Sequence, residues 1–348
     1  MRTSMMFVAA LGVASFGVAT AAQAQITLDG VADAAYGAPV AVQNTQTQFG
    51  DSNLGTIDAA NGSELDAMYA RIEGGVLYLV LAGNLESNFN KLELFLDGVD
   101  GGQNQLRSDN PDVDFNGINR MGDDPATLKV VEGLTFDAAF SPDLWVSLTC
   151  GGTPFGVYMN QAQLLTAGGG TGGYIGTGGA GAAGATTFKS GFGFGIDNSN
   201  TLGVIGGTDV GDGTGVTTGV ELQIPLSAIP GYTSGDVKVM AFINGGGHDY
   251  SSNQYLPGLG GGPNLAEPRL INLEIIPGDQ FVTISAGGGG GGGCPADFDA
   301  DGSVGAPDLA ALLNAWGSNA AAQDLDGDGT VGAPDLAAVL NAWGACVP

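Results

Sequence analysis

Between residues 294 and 346 one acidic phrase occurs twice. The first copy runs Asp297-Phe-Asp299-Ala-Asp301-Gly302-Ser303-Val304-Gly-Ala-Pro-Asp308, the second Asp324-Leu-Asp326-Gly-Asp328-Gly329-Thr330-Val331-Gly-Ala-Pro-Asp335. Each position of one copy lies 27 residues from its counterpart, as Asp297 does from Asp324. Four carboxylates in so short a stretch repel one another unless a cation neutralises them. A hard cation such as Ca2+ takes six to eight oxygens, and a twelve-residue loop supplies them from positions 1, 3, 5, 7 and 12, with Gly at position 6 for the turn. Asp297, Asp299, Asp301 and Asp308 fill the carboxylate positions of the first loop, and Ser303 offers its carbonyl at position 7. Asp324, Asp326, Asp328, Asp335 and Thr330 repeat the set. Two Ca2+ ions are expected, with binding coupled to folding. Asp-Gly stretches are also common turn material, which would explain one copy but not two in register.

Each loop leads into a helix. Pro307 and Pro334 fall in the first turn, where a missing N–H costs nothing. Leu309, Leu312, Leu313 and Trp316 share one helix face by their spacing, and Leu336, Val339, Leu340 and Trp343 repeat it. The two faces are expected to pack together, with Gly317 and Gly344 closing the helices. Val304 and Val331 should point inward, where the two loops meet as a short β-bridge. Cys294 and Cys346 flank the repeat almost symmetrically and suit a disulfide, worth about 4 kcal/mol for a loop of that size. Cys150 is then left over and reads as a buried apolar residue.

This duplicated loop-helix unit, residues 294–346, resembles the dockerin domain of secreted polysaccharide-degrading bacteria. The resemblance implies two bound Ca2+ ions, with the eight aspartates above as ligands, and docking onto a cohesin-like or cell-surface partner. At loop positions 10 and 11, where the family often carries Ser or Thr for recognition, this chain has Ala306, Pro307, Ala333 and Pro334.

The seven glycines Gly287–Gly293 form a flexible linker that separates the module, residues 294–348, from a body spanning 25–286. Residues 1–24 read as a signal peptide: Arg2, an apolar core from Met5 to Val18, then Ala22-Gln23-Ala24 as cleavage site. The mature chain is expected outside the cytoplasm, starting near Gln25, with no transmembrane segment. A formal charge of −27 argues against nucleic acid or anionic membrane as partner.

The body is expected to be mainly β, an antiparallel sandwich. Strand-like runs are Leu65–Ile72 and Val76–Leu81, joined by Glu73-Gly74-Gly75 as a hairpin, then Leu92–Leu96, Leu144–Leu148, Val220–Leu226, Val237–Ile243, Leu270–Ile275 and Phe281–Ile284. The Gly-rich stretch 168–187 reads as a flexible surface loop. Ile26-Thr-Leu-Asp-Gly30 leading to Tyr36, Ala70-Arg-Ile-Glu-Gly-Gly-Val-Leu-Tyr-Leu79 and the segment from Gly219 to Pro225 resemble the family 9 carbohydrate-binding module and DOMON-like sandwiches. That likeness, over residues 26–285, implies the fold and suggests sugar or cofactor binding.

Catalytic signals are sparse. His248 is the only histidine, so a triad or a histidine-rich metal site has nothing to draw on, and His-Asp in a Gly-rich loop reads as turn chemistry. The acidic stretch Asp97–Asp124 reads as turn first, structural metal site second and acid/base pair last. Trp145, Tyr158, Tyr250 and Tyr255 are candidate sugar-stacking rings that core packing would explain equally well. The chain therefore reads as a secreted, modular, non-catalytic protein of extracellular polysaccharide breakdown. Two alternatives stay open: a glycoside hydrolase carrying a dockerin, and a structural surface protein.

Overall fold

The computed structural model describes residues 26–50, 62–123, 133–179, 181–187, 189–202, 213–286, 296–298, 303–318, 320, 323, 325 and 330–345. The expected signal peptide, the glycine linker, Cys294 and Cys346 lie outside them.

The chain begins in one sheet with β1 (Ala41–Val42), β2 (Phe49–Gly50), β3 (Gly62–Glu73) and β4 (Val76–Asn84). It crosses to a second sheet for β5 (Asn88–Asp97), β6 (Leu144–Gly151), β7 (Gly156–Gln163) and β8 (Gly172–Gly178). It returns to the first for β9 (Gly181–Thr187), β10 (Gly193–Ile196) and β11 (Gly219–Pro225), and ends in the second with β12 (Val237–Asn244), β13 (Ser251–Leu256) and β14 (Val282–Ile284). Among the described residues both sheets have seven strands, in the orders β1-β3-β4-β11-β10-β9 and β13-β12-β5-β6-β7-β8, with β2 added beside β3 and β14 beside β12. All their ladders are antiparallel.

Alternation along the strands explains the core. Leu77, Leu79 and Leu81 of β4 join Leu92, Leu94 and Leu96 of β5 in one buried cluster drawn from both sheets. The second sheet is also covered on its other face at one end, where Phe95, Trp145 and Phe242 pack with Phe136 and Phe140 of the long β5–β6 connection. A strand buried on both faces loses its polar alternation and reads as a continuous apolar run. The hairpin between β3 and β4 turns on Gly74 and Gly75, both at positive φ (58° and 80°), as a two-residue turn of this hand requires.

The motif from Ile26 to Tyr36 acquires a physical reason. Glu221 of β11, fully buried, accepts the Tyr36 hydroxyl at 2.7 Å and the amides of Asp29 and Gly30 at 2.8 and 3.0 Å. Gly30 sits at φ 87°, and a Cβ there would lie 2.4 Å from the Asp197 nitrogen, so only glycine fits. Burial pushes the Glu221 carboxyl up to about 7 despite those donors.

Two expectations are corrected. Leu270–Ile275 is no strand; it forms two short 3-10 turns, Pro268–Leu270 and Leu273–Ile275, that put Leu273 into the second apolar cluster. The stretch 168–187 is no plain loop, because it supplies β8 and β9, the outer strands of the two sheets. Glycine-rich chain can do this where a neighbouring strand takes up its backbone groups: β8 pairs along β7 and β9 along β10.

The C-terminal residues form the helices α1 (Ala306–Asn314) and α2 (Ala333–Asn341) and a two-stranded pair, β15 (Ser303–Val304) with β16 (Gly344–Ala345). Leu312, Val339, Val304 and Val331 share a buried cluster with Leu309 and Leu336 at its edge, so the helices pack together. The β-bridge differs from expectation. Val304 pairs with Gly344 after the second helix, while Val331 exchanges hydrogen bonds with Gly317 and Ser318 after the first. Each loop thus meets the end of the other repeat's helix. Trp316 and Trp343 are about half exposed (47 % and 50 %), as are Leu313 and Leu340. Both tryptophans follow the last helical residue, so the spacing of seven no longer returns them to the buried side.

Candidate functional site

The covered face of the second sheet is open at its other end, and there a cavity of about 560 Å3 forms. Lys91 of β5, Thr149 of β6 and Asn160 of β7 lie deep in it, each 5 % exposed or less. Its rim carries Phe89, Tyr174 and Phe115, exposed by 44, 46 and 70 %. Tyr158 links rim to floor, its ring centroid 6.3 Å from that of Phe89. Rings therefore surround a polar base.

The base is charged and organised from behind. Lys91 Nζ donates to Asp114 Oδ2 at 2.8 Å. His248 Nε2 reaches the same oxygen at 3.3 Å, and its Nδ1 lies 2.6 Å from Glu93 Oε1. Glu93 accepts further from Trp145 Nε1 at 2.8 Å and Asn244 Nδ2 at 3.1 Å. Both ring nitrogens of His248 face carboxyl oxygens, the setting that favours the imidazolium, a donor at both nitrogens. Burial pulls its pKa down, but Glu93 and Asp114 outweigh that and leave it raised to about 9. Burial works to raise the Asp114 carboxyl, and the His248 and Lys91 hydrogen bonds overcome it, holding Asp114 well below the usual range.

Backbone strain gathers at the same place. Phe89, Asp114, Asn116 and His248 all have φ between 55° and 69°, four of the six non-glycine residues in this region among the described residues. Such conformations cost about 1–3 kcal/mol each and persist where surrounding structure holds them, commonly at functional sites. Asn116 Nδ2 ties its loop to the Gly247 carbonyl at 3.4 Å.

No family model, curated protein or solved structure matches the chain.

Of the rings singled out from sequence, Tyr158 lines the cavity, Trp145 and Tyr255 are fully buried, and Tyr250 is exposed beside Phe49. His248 is no simple turn residue, since it bridges two carboxylates. Alternation in Asn90-Lys-Leu-Glu-Leu-Phe95 was the available signal: Lys91 and Glu93 interrupt a leucine face and so belong to the other side of the sheet. The acidic stretch is dispersed: Asp97 pairs with Lys238, Asp109 with Arg107 and Asp114 with Lys91, Asp123 accepts the Ser108 amide, and Asp124 lies outside the described residues. Among the described residues no group of three His, Cys, Asp or Glu side chains gathers as a metal site. Cys150 is buried and unpaired, with its thiol pushed up to about 12 by burial.

Of the expected Ca2+ ligands, Asp297, Ser303, Asp308, Thr330 and Asp335 are among the described residues; Asp299, Asp301, Asp324, Asp326 and Asp328 lie outside them. Asp308 and Asp335 are fully buried at the third position of their helices, where a carboxylate also meets the positive end of the helix dipole.

Proposed function

We propose that this is a secreted, modular, non-catalytic protein of extracellular polysaccharide breakdown. Its β-sandwich body binds carbohydrate in the cavity rimmed by Phe89, Tyr158 and Tyr174. Its C-terminal dockerin-like module binds two Ca2+ ions and docks on a cohesin-like or cell-surface partner. The carrying observation is the cavity itself, with apolar rings around a deep set of fixed donors and acceptors. Sugars offer apolar C–H faces to such rings and hydroxyl edges to such a floor. The calcium reading is supported by the repeat: residues at equivalent loop positions recur in equivalent surroundings, down to the same two hydrogen bonds on Asp308 and Asp335.

The hydrolase alternative fares less well at this cavity. Asp114 is held ionised in an ion pair, and Glu93 behind it has no exposed surface, so neither offers a proton to a glycosidic oxygen. A glycan array probed with the intact chain in Ca2+, alongside Tyr158→Ala, tests the reading. Retention by wild type that is lost in the variant is expected. Silence across the array would favour a structural surface role, and release of reducing ends would favour a hydrolase.

A further inference from the structure

Taking the cavity as a sugar site, we propose that Lys91 and Asp114 read two neighbouring hydroxyls of one uncharged sugar ring, with His248 as the positioning residue that fixes Asp114. Lys91 Nζ, 4 % exposed, donates to Asp114 Oδ2 alone among the described residues. An ammonium has three N–H donors, so two are left for whatever fills the cavity. Asp114 Oδ2 takes Lys91 and His248, and Oδ1 takes the Phe115 amide at 2.7 Å, which leaves Oδ1 an acceptor site. A donor, Lys91 Nζ, and an acceptor, Asp114 Oδ1, thus stand side by side on one ion pair, whose Nζ–Oδ2 contact is 2.8 Å. Neighbouring hydroxyls on a pyranose offer such a pair both an acceptor and a donor. One hydroxyl oxygen accepts from Lys91 while its neighbour donates to Asp114.

Charge decides the class of sugar. Lys91 with Asp114 and His248 with Glu93 cancel in pairs, and no other charged residue lines the cavity among the described residues. A uronate or sulfate ester would need an uncompensated cation, and an amino sugar an uncompensated carboxylate; the lining has neither, and the further cation Lys189 stands outside it, 6.0 Å from the Tyr174 ring centroid. The chain's charge of −27 adds long-range repulsion against polyanions. His248 has no exposed surface and cannot touch the ligand. It acts by holding the strained Asp114 (φ 69°) where Lys91 can meet it.

The test is calorimetric titration of the intact chain with cellohexaose, xylohexaose and mannohexaose as neutral probes, hexagalacturonate as anionic and hexaglucosamine as cationic. At least one neutral probe binds and neither charged one competes. Asp114→Asn and Lys91→Met each weaken binding roughly tenfold or more, as loss of a hydrogen bond to a charged group implies. Thermal melting checks that these variants fold. Should either single variant fail to, the double variant Lys91→Met/Asp114→Asn, which strands no lone charge, carries the comparison. Wild-type affinity falls as pH rises through about 9, and His248→Gln is weaker at neutral pH with that fall abolished. Equal or tighter binding of hexagalacturonate at a site blocked by Tyr158→Ala, or unchanged affinity in a folded Asp114→Asn, overturns the proposal and leaves the sugar reading standing. Binding of none of the probes overturns both.

Discussion

Asp308 and Asp335 make the same two hydrogen bonds. Asp308 Oδ1 accepts the Phe298 amide and Oδ2 the Gly305 amide, both at 2.7 Å; Asp335 does the same with Leu325 at 2.7 Å and Gly332 at 2.6 Å. Each carboxylate thereby ties the second residue of its loop to the start of its helix. If the loops hold Ca2+, Asp308→Asn and Asp335→Asn each remove one ion of two, countable by native mass spectrometry. Chelation lowers the stability of the module by about 4 kcal/mol for each site when the free ion had been a thousandfold above its dissociation constant.

His248 makes the body sensitive to alkali. Its pKa is raised from 6.5 to about 9 in the folded chain, so its contribution is fully present below pH 6.5 and is lost as pH rises through 9. Wild-type melting temperature should drop across that window. In His248→Gln the drop should be shallower and the starting stability lower. An unchanged slope would contradict the imidazolium bridging Glu93 and Asp114.

Glu221 acts at lower pH. Burial raises it from 4.5 to about 7, so the stability linked to its protonated form is present below pH 4.5 and lost as pH rises through 7. Glu221→Gln should flatten the melting temperature over that interval. Tyr36→Phe removes a donor to a buried carboxylate and should cost about 1.5–3 kcal/mol by chemical denaturation at neutral pH.

Cys150 is expected to be chemically silent while folded. Its Sγ contacts the carbonyls of Leu85 and Glu86 at 3.4 and 3.5 Å, and burial keeps it a thiol. Peptide-level mass spectrometry after treatment with iodoacetamide should find Cys150 unmodified in native chain and alkylated only in denaturant.

What was legible in the sequence follows from local physics. Leu65–Ile72 and Val76–Leu81 with Gly74-Gly75 between them carry a complete hairpin instruction, and the structure forms it. The repeat likewise announces its two helices. Strands β8 and β9 were not legible, because Gly172–Gly178 and Gly181–Thr187 have little side-chain pattern and pair only because β7 and β10 present open edges. Leu270–Ile275 looks like a strand by composition, yet Glu267 and Asn272 cap two tight turns there. The cavity was hidden for another reason. Phe89 and Lys91, Asp114, Tyr158, Tyr174 and His248 come from five separated stretches, and only the second sheet brings them together. Even so, Lys91 and Glu93 amid the leucines of β5 marked that face as something other than core.

The most direct test is retention on sugar itself. The intact chain is mixed with insoluble cellulose, xylan and mannan, and the protein left in solution is measured beside that of Tyr158→Ala/Tyr174→Ala, which removes two of the cavity's rings. Depletion of wild type by at least one polysaccharide, with the double variant remaining in solution and melting normally, is the predicted result. Equal depletion of both proteins, or of neither, would contradict the assignment of this cavity as the carbohydrate site.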